Sequence, residues 1–258
     1  MTLEINQPVK REIALIVPCF NESSRWNYDY WKNMLEIDGL DWFFMDDGSK
    51  DNTGEILAKY EVNSNCKYHH LEKNSGKSEA VRFGLVEALN SGEHYKYLGF
   101  IDADGCVSLA DVQRMTQLPG QLRDEAIKFD AIWASRIPLS GRVVKRSVFR
   151  HAIGRILAKV FKFGVGDLPY DTQCGFKLFE DSAYFRESLQ NKFKTRWLFD
   201  LEIHSRLRSR MQANPVIWEE PLNQWIEVGG SKINSKESFR IVYEIVLLKY
   251  LQIKRKQG

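Results

Sequence analysis

Between residues 13 and 135, short apolar runs alternate with amphipathic stretches, and three of those runs end in polar or acidic clusters. Ile13–Val17 is an apolar run followed by Pro18-Cys19-Phe20-Asn21-Glu22, and Tyr28–Ile37 then has helical periodicity. Trp42–Met45 ends in Asp46-Asp47-Gly48-Ser49, and Asp51 or Asn52 is placed to cap a helix that runs to about Tyr60. Cys66–Leu71 predicts a third strand, Lys77–Leu89 a third helix, Tyr97–Asp102 a fourth strand and Phe129–Ser135 a fifth. Strands separated by helices require right-handed crossovers, so the pattern predicts an α/β fold with a mainly parallel sheet and helices on both faces. Ligands of such open sheets bind beyond the carboxyl ends of the strands. Three acidic or polar loops therefore converge on one rim.

The sharpest of these loops is Phe100-Ile101-Asp102-Ala103-Asp104-Gly105. Residues i and i+2 of a strand point the same way, so Asp102 and Asp104 direct two carboxylates at one spot. Two close carboxylates repel and titrate as a pair. On spacing alone two readings stand: a turn or helix cap, or a hard-cation site able to grip a diphosphate.

The second half is less regular. It offers a basic helix near Lys145–Phe161, a glycine-containing connection, a segment at Asp171–Phe179, a helix through Trp197–Leu207 and an amphipathic helix from about Lys236 to Lys254. The net charge of +3 and 34 acidic residues do not promise the broad basic face of a nucleic-acid binder. Cys19, Cys66, Cys106 and Cys174 are dispersed without a CxxC spacing, which suits a reducing compartment rather than a disulfide frame or a zinc site. No run reaches the roughly 18 apolar residues of a membrane span, and the amino terminus lacks a signal-peptide pattern. The expectation is a cytoplasmic protein, with any membrane contact peripheral on the cytoplasmic face.

Four segments resemble the family 2 glycosyltransferases of GT-A fold: Pro18–Glu22, Asp46–Asp51, Asn74-Ser75-Gly76-Lys77 and Asp102–Gly105. Asp171–Phe179, Arg196–Glu202 and Gly230-Ser231-Lys232 resemble one branch, the dolichyl-phosphate β-glucosyltransferases, with the dolichyl-phosphate mannose synthases as near relatives. The likeness covers roughly residues 12 to 235. It implies a Rossmann-like GT-A domain over 1–235, with a donor half at about 12–136 and an acceptor half at about 137–235. A carboxyl-terminal amphipathic helix and basic tail over 236–258 follow, so the acceptor side carries a helical extension.

By that resemblance Pro18, Asn21, Glu22 and Asp47 line the nucleotide pocket, Asp47 meeting the base, and Lys77 neutralises or orients donor groups. Asp102 and Ala103 lie on the donor, Asp102 at the ribose or a metal-bound water, and Asp104 holds Mg²⁺ or Mn²⁺. The donor implied is a nucleotide sugar, UDP-glucose before GDP-mannose. Transfer is inverting, by a single displacement at the anomeric carbon. A hydroxyl acceptor would need a general base, whereas a lipid phosphate is already an anion and needs cations to place it. Arg146 and Arg150 share a helix face, and arginine forks suit phosphate. By match to the family, Arg136 and Arg150 take the acceptor phosphate, while Arg142, Lys145 and Arg155 read as solvated charges.

Asp171 has two readings, a general base or the residue ordering the loop of Gln173 and Gly175. Asp200 likewise is either a base or the partner of Arg196 or Lys232. Lys232, on a flexible loop, is placed to close over the diphosphate. The candidate catalytic set is thus Asp102, Asp104, Arg136, Arg150, Asp171 and Lys232. The chain departs from the mannose synthases at Cys106, where they carry a polar metal contact; a thiol is a poor Mg²⁺ ligand. The apolar stretch Phe239–Leu251 with Lys254-Arg255-Lys256 either lies on an anionic bilayer or packs on the domain.

The function expected is transfer of a hexose, glucose foremost, to a polyprenyl or dolichyl phosphate. The rival is a non-processive family 2 enzyme acting on a glycan hydroxyl. Processive relatives carry Gln three residues before the Arg-Trp pair, where this chain has Phe193. A non-catalytic sugar-nucleotide or membrane-surface module would have lost the acidic pair or the basic segment, and both are intact.

Overall fold

Period-two burial in the strands dictates a sheet covered on both faces. In β1 (Ile13–Cys19), Ile13, Leu15, Val17 and Cys19 face one apolar cluster, and Ala14 and Ile16 face a second. In β2 (Leu40–Asp46), Leu40, Trp42 and Phe44 join the first cluster and Phe43 and Met45 the second. A strand buried on both sides reads as a continuous apolar run, as Ile13–Val17 and Trp42–Met45 do. The computed structural model describes residues 10–145, 168–226, 240–241 and 243–250.

Seven strands form the central sheet: β1 and β2 with β3 (Cys66–His70), β4 (Tyr97–Ile101), β5 (Ala131–Ser135), β7 (Phe176–Glu180) and β8 (Ile217–Pro221), in the order β3-β2-β1-β4-β7-β5-β8. β3, β2, β1 and β4 run parallel, as do β5 and β8. β7 lies antiparallel between β4 and β5. β6 (Val143–Lys145) and β9 (Gln224–Ile226) make a separate parallel pair. The five strands and three helices expected in the first half are present, with shifted ends. The helices are α1 (Tyr28–Leu35), α2 (Thr53–Ala58, continued by a 3₁₀ turn at Lys59–Val62) and α3 (Lys77–Asn90). Asn52 holds the cap position of α2 without a side-chain bond, and Asp51 instead accepts from the helix's first N–H, Thr53 N, at 3.0 Å and from Ser23.

α4 (Leu109–Asp124) is an element the sequence reading lacks. Its start is signalled by Ser108, whose Oγ accepts from Asp111 N at 3.2 Å, but Pro119 in its interior argues against a helix. α5 (Ala183–Ser188) and α6 (Phe199–Met211) follow β7; α6 begins two residues later than expected and runs four further. Lys145, placed by the sequence at a helix start, ends β6, and the remainder of that expected basic helix lies outside the described residues. Arg142 is half-buried and donates to Pro221 O, so it is not a solvated charge. All four cysteines are buried and none forms a disulfide. No helix among the described residues is long and apolar enough to cross a membrane.

One core residue makes the fold acid-sensitive. His204 of α6 is 1% exposed against the Trp133 ring, and neither ring nitrogen has a hydrogen-bonding partner among the described residues. Burial, helped by Arg208, pushes its pKa down to about 4. A folded value below the unfolded one of about 6.5 means that the unfolded chain takes up the proton first. Stability is therefore whole above about pH 6.5 and falls until about pH 4, by about 3 kcal/mol from this residue. Urea titrations across that range should show the loss in the native protein, and His204→Phe should flatten the profile by that amount.

Candidate active site at the carboxyl ends of the strands

The carboxyl ends of β1, β2 and β4 lie side by side, so their loops must meet. Asp47 N donates to Cys19 O at 2.8 Å, tying the loop after β2 to that after β1. Pro18 pairs with Met45 in the sheet. Asn21 adopts a φ of 49°, a left-handed conformation that Asn tolerates better than most residues. Its Oδ1 accepts from Lys50 N at 2.9 Å, while its own N–H donates to Ser49 Oγ at 2.9 Å. Glu22 is buried, held by Thr53 Oγ1 at its N–H (2.7 Å) and by Arg25 at its carboxylate.

Asp47 is 2% exposed and accepts from Ser75 N at 2.6 Å and Gly76 N at 2.8 Å. Burial raises its pKa despite those two bonds. Gly76 has a φ of +95°, and a Cβ there would sit 2.8 Å from Arg196 Nε, so the loop needs a glycine on both counts. Arg196 also donates to Asn74 Oδ1. The loop of residues 74–76 is thus clasped between Asp47 and Arg196, a role for Arg196 that its sequence position does not reveal.

Lys77 opens α3, and its ammonium pairs with Asp102 while lying 5.7 Å from the Phe100 ring centre and 5.9 Å from that of Phe199. Burial pulls its pKa down; Asp102, with Asp200 and Asp104 behind it, more than reverses this and leaves it raised. Asp102 N donates to Gly175 O at 2.9 Å. A Cβ on Gly175 would fall 2.1 Å from Asp102 Oδ2, so glycine is what lets the 171–175 loop reach the acidic pair. Ala103 is buried, its carbonyl accepting from Trp31 Nε1 at 3.3 Å. Asp104 Oδ1 accepts from Cys106 N at 3.1 Å. Burial first, then the neighbouring Asp102 charge, raises the Asp104 pKa. Tyr30, unforeseen in the sequence, stacks its ring over Gly105, 3.5 Å from where a Cβ would be.

Across the rim, Arg136 follows β5 and grips Asp171 with Nε at 2.6 Å and Nη2 at 2.8 Å, while its N–H donates to the same carboxylate at 3.0 Å. The guanidinium also lies 5.2 Å from the Trp225 ring centre. Asp171 Oδ1 accepts from Gln173 N at 3.1 Å, so Asp171 does order that loop. Glu219 of β8, not singled out in the sequence, accepts from the N–H groups of Tyr170 and Asp171 at 2.7 and 2.8 Å. The Asp200 carboxylate meets Lys177 Nζ at 3.3 Å and, among the described residues, does not pair with Arg196; the other expected partner, Lys232, lies outside them. Lys177 is fully buried in β7, also donates to Cys174 O at 2.7 Å, and sits 4.7 Å from the Trp133 ring centre. Burial raises the Asp200 pKa against the pull of Lys177. Arg150 and Lys232 lie outside the described residues. A 410 Å³ cavity lined by Glu12, Glu36, Tyr97, Pro119 and Arg123 opens at the amino ends of β1 and β4, away from all of these groups.

Known proteins resemble this chain in sequence and in fold. The family model described as glycosyl transferase family 2 matches residues 14–157. A dolichyl-phosphate beta-glucosyltransferase of Dictyostelium discoideum is 31% identical over 259 residues, covering 92% of this chain and 74% of its own. Glucosyl-3-phosphoglycerate synthase from Mycobacterium tuberculosis, in complex with Mn²⁺, UDP-glucose and phosphoglyceric acid, superposes with a TM-score of 0.61 at 15% identity, over 94% of this chain and 79% of that one. S. aureus TarS 1-349 in complex with UDP superposes with a TM-score of 0.56 at 18% identity, over 94% of this chain. This chain spans 65% of the length of that one. These likenesses identify the fold as GT-A, as the strand-end motifs imply.

Proposed function

The chain belongs to glycosyl transferase family 2, and from that premise we propose that it moves glucose from UDP-glucose to a dolichyl or other polyprenyl phosphate. The observation that carries this reading is the rim itself. Asp102, Asp104 and Lys77 stand at the end of β4 on the donor side, and Arg136 stands beyond the 171–175 loop on the acceptor side. Its relatives of that name extend the likeness across most of the chain.

On the donor side, Asp47 takes the base through the lone pairs its two backbone bonds leave over, with Pro18, Asn21 and Glu22 around it. The oxygen donors of the acidic pair suit Mg²⁺ or Mn²⁺. Asp102 is already neutralised by Lys77, so Asp104 is the principal ligand, with Asp102 beside it. Among the described residues no group of three or more His, Cys, Asp or Glu side chains forms a complete metal site. A cation held by Asp104 and Asp102 would take its remaining ligands from diphosphate oxygens and water. A divalent cation held there supplies charge neutralisation for the departing nucleoside diphosphate. Lys77 and Lys232 orient the donor phosphates.

On the acceptor side, Arg136 and Arg150 place the phosphate whose oxygen attacks the anomeric carbon, and Asp171 aims the Arg136 guanidinium. Burial opposes the charge of Arg136, but the Asp171 pair outweighs it and raises its pKa further. A hydroxyl acceptor is the weaker reading because neither candidate base is placed to take a proton: Asp171 is bound by Arg136 and Gln173, and Asp200 is buried on Lys177. The helical segment 243–250 turns Tyr243, Val246 and Tyr250 outward, spaced as one stripe and flanked by Lys249. Tyrosines beside basic residues suit a lipid headgroup layer, so this face is the membrane contact. Its other side, with Glu244 and Leu248, is buried on the domain. The packed seat is the one the described residues display, and the outward stripe is what supports the membrane one.

The donor half is tested by calorimetric titration with UDP-glucose and GDP-mannose in the presence of Mn²⁺. Tighter binding of UDP-glucose is expected, and Asp47→Ala should weaken it about tenfold, as befits loss of a hydrogen bond to a charged group. Preference for GDP-mannose would replace glucose by mannose in this account.

A further inference from the structure

α6 starts with Leu198 as its cap residue, and no side chain of its own satisfies the leading N–H groups. Helices leave their first N–H groups unmet, and a negative charge is favoured there. Here a charge sits just ahead of the first turn, on the three N–H groups that lead into it, and it comes from a remote helix. Glu244 is 2% exposed and accepts from Arg196 N at 2.7 Å, Trp197 N at 3.0 Å and Leu198 N at 3.1 Å. Leu248, one turn on, packs with Leu198 and Leu201. The helical segment 243–250 is therefore fastened to the backbone on which Arg196 sits. Arg196 in turn lies against Gly76 and donates to Asn74, and the N–H groups of Ser75 and Gly76 hold Asp47.

We propose that Glu244 is a positioning residue for the nucleotide pocket: by fixing the Arg196 backbone it sets the 74–76 loop and Asp47, and so couples the seating of the carboxyl-terminal helix to donor binding. This rests on Asp47 lying in the nucleotide pocket. The coupling is contiguous, each link being a named contact, and it must act in both directions. The helix that presents Tyr243 and Tyr250 outward is then also the one that tightens the donor site.

The test is UDP affinity with Mg²⁺ in the full chain. Glu244→Gln keeps the size but turns an amide NH₂ toward backbone N–H groups, and should weaken UDP binding about tenfold, the usual range for coupled sites. In an Arg196→Met background, where the link to Asn74 is already cut, the same change should add nothing. An unchanged affinity in Glu244→Gln, or an equal loss in both backgrounds, overturns the proposal. Urea unfolding of each variant separates a global loss of stability from this effect. Hydrogen exchange on the unmutated protein gives an independent arm: UDP should slow exchange of the amides of residues 243–250, and unchanged exchange despite binding counts against coupling. If the unmutated protein binds neither UDP nor GDP, the nucleotide reading itself fails. Binding with an indifferent Glu244→Gln removes only the present inference.

Discussion

Asp104→Asn is expected to lower turnover about a thousandfold, the scale of several kcal/mol of lost charge stabilisation. Asparagine is the same size, and its Oδ1 can keep the bond from Cys106 N, so the loop after β4 should hold its shape. What disappears is the negative charge. Asp102 cannot stand in for it, because Lys77 already neutralises that carboxylate. Cys106 cannot stand in either, since a thiol is a poor partner for a hard cation. Steady-state rates at saturating donor, measured across a Mn²⁺ titration, should show a lower ceiling that added metal does not restore. Near-native turnover in the variant would remove Asp104 from the metal site and leave it a turn residue.

Lys177→Met is expected to destabilise the fold by about 3–5 kcal/mol, the cost of removing one member of a buried ion pair. Methionine fills the space of the lysine stem between Trp133 and Phe100, so cavity formation contributes little. The cost arises because Asp200, 4% exposed, loses its nearest cation, and Cys174 O loses its donor. Adding Asp200→Leu should recover much of the loss, since a well-packed apolar pair can match a buried salt bridge. Urea midpoints of the three variants measure this. A single variant as stable as the native protein, or a double variant no better than the single, would refute the pairing as the source of stability.

Much of the first half of the chain announces itself because β1, β4, β5 and the centre of β2 are apolar runs, and the loops after β2 and β4 end them with acids and a glycine. Asp47, Asp102 and Asp104 are visible in that pattern and Lys77 through the family resemblance, and the structure gathers them at one edge of the sheet. β7 was not visible as a strand. Lys177 interrupts the run Phe176–Phe179, and nothing local says that a lysine will be buried between two aromatic rings. α4 was hidden by Pro119, which is tolerated because tertiary contacts outweigh propensity. The pairing of Asp200 with Lys177 rather than Arg196 depends on β7 lying beside β4, which is a matter of topology. Glu244 is the extreme case: its partners are backbone N–H groups 46 to 48 residues away, and those carry no side-chain signature at all.

The central claim is that the rim passes glucose from a donor diphosphate, which leaves, to an acceptor phosphate, whose oxygen forms the new bond at the anomeric carbon. It is tested most directly by incubating the purified protein with labelled UDP-glucose, Mn²⁺ or Mg²⁺, and two acceptors in parallel, a short polyprenyl phosphate and a glycan. The account predicts labelled glucose in the organic phase as a glucosyl phospholipid, and none on the glycan. Label appearing on the glycan with no lipid-linked product would contradict it.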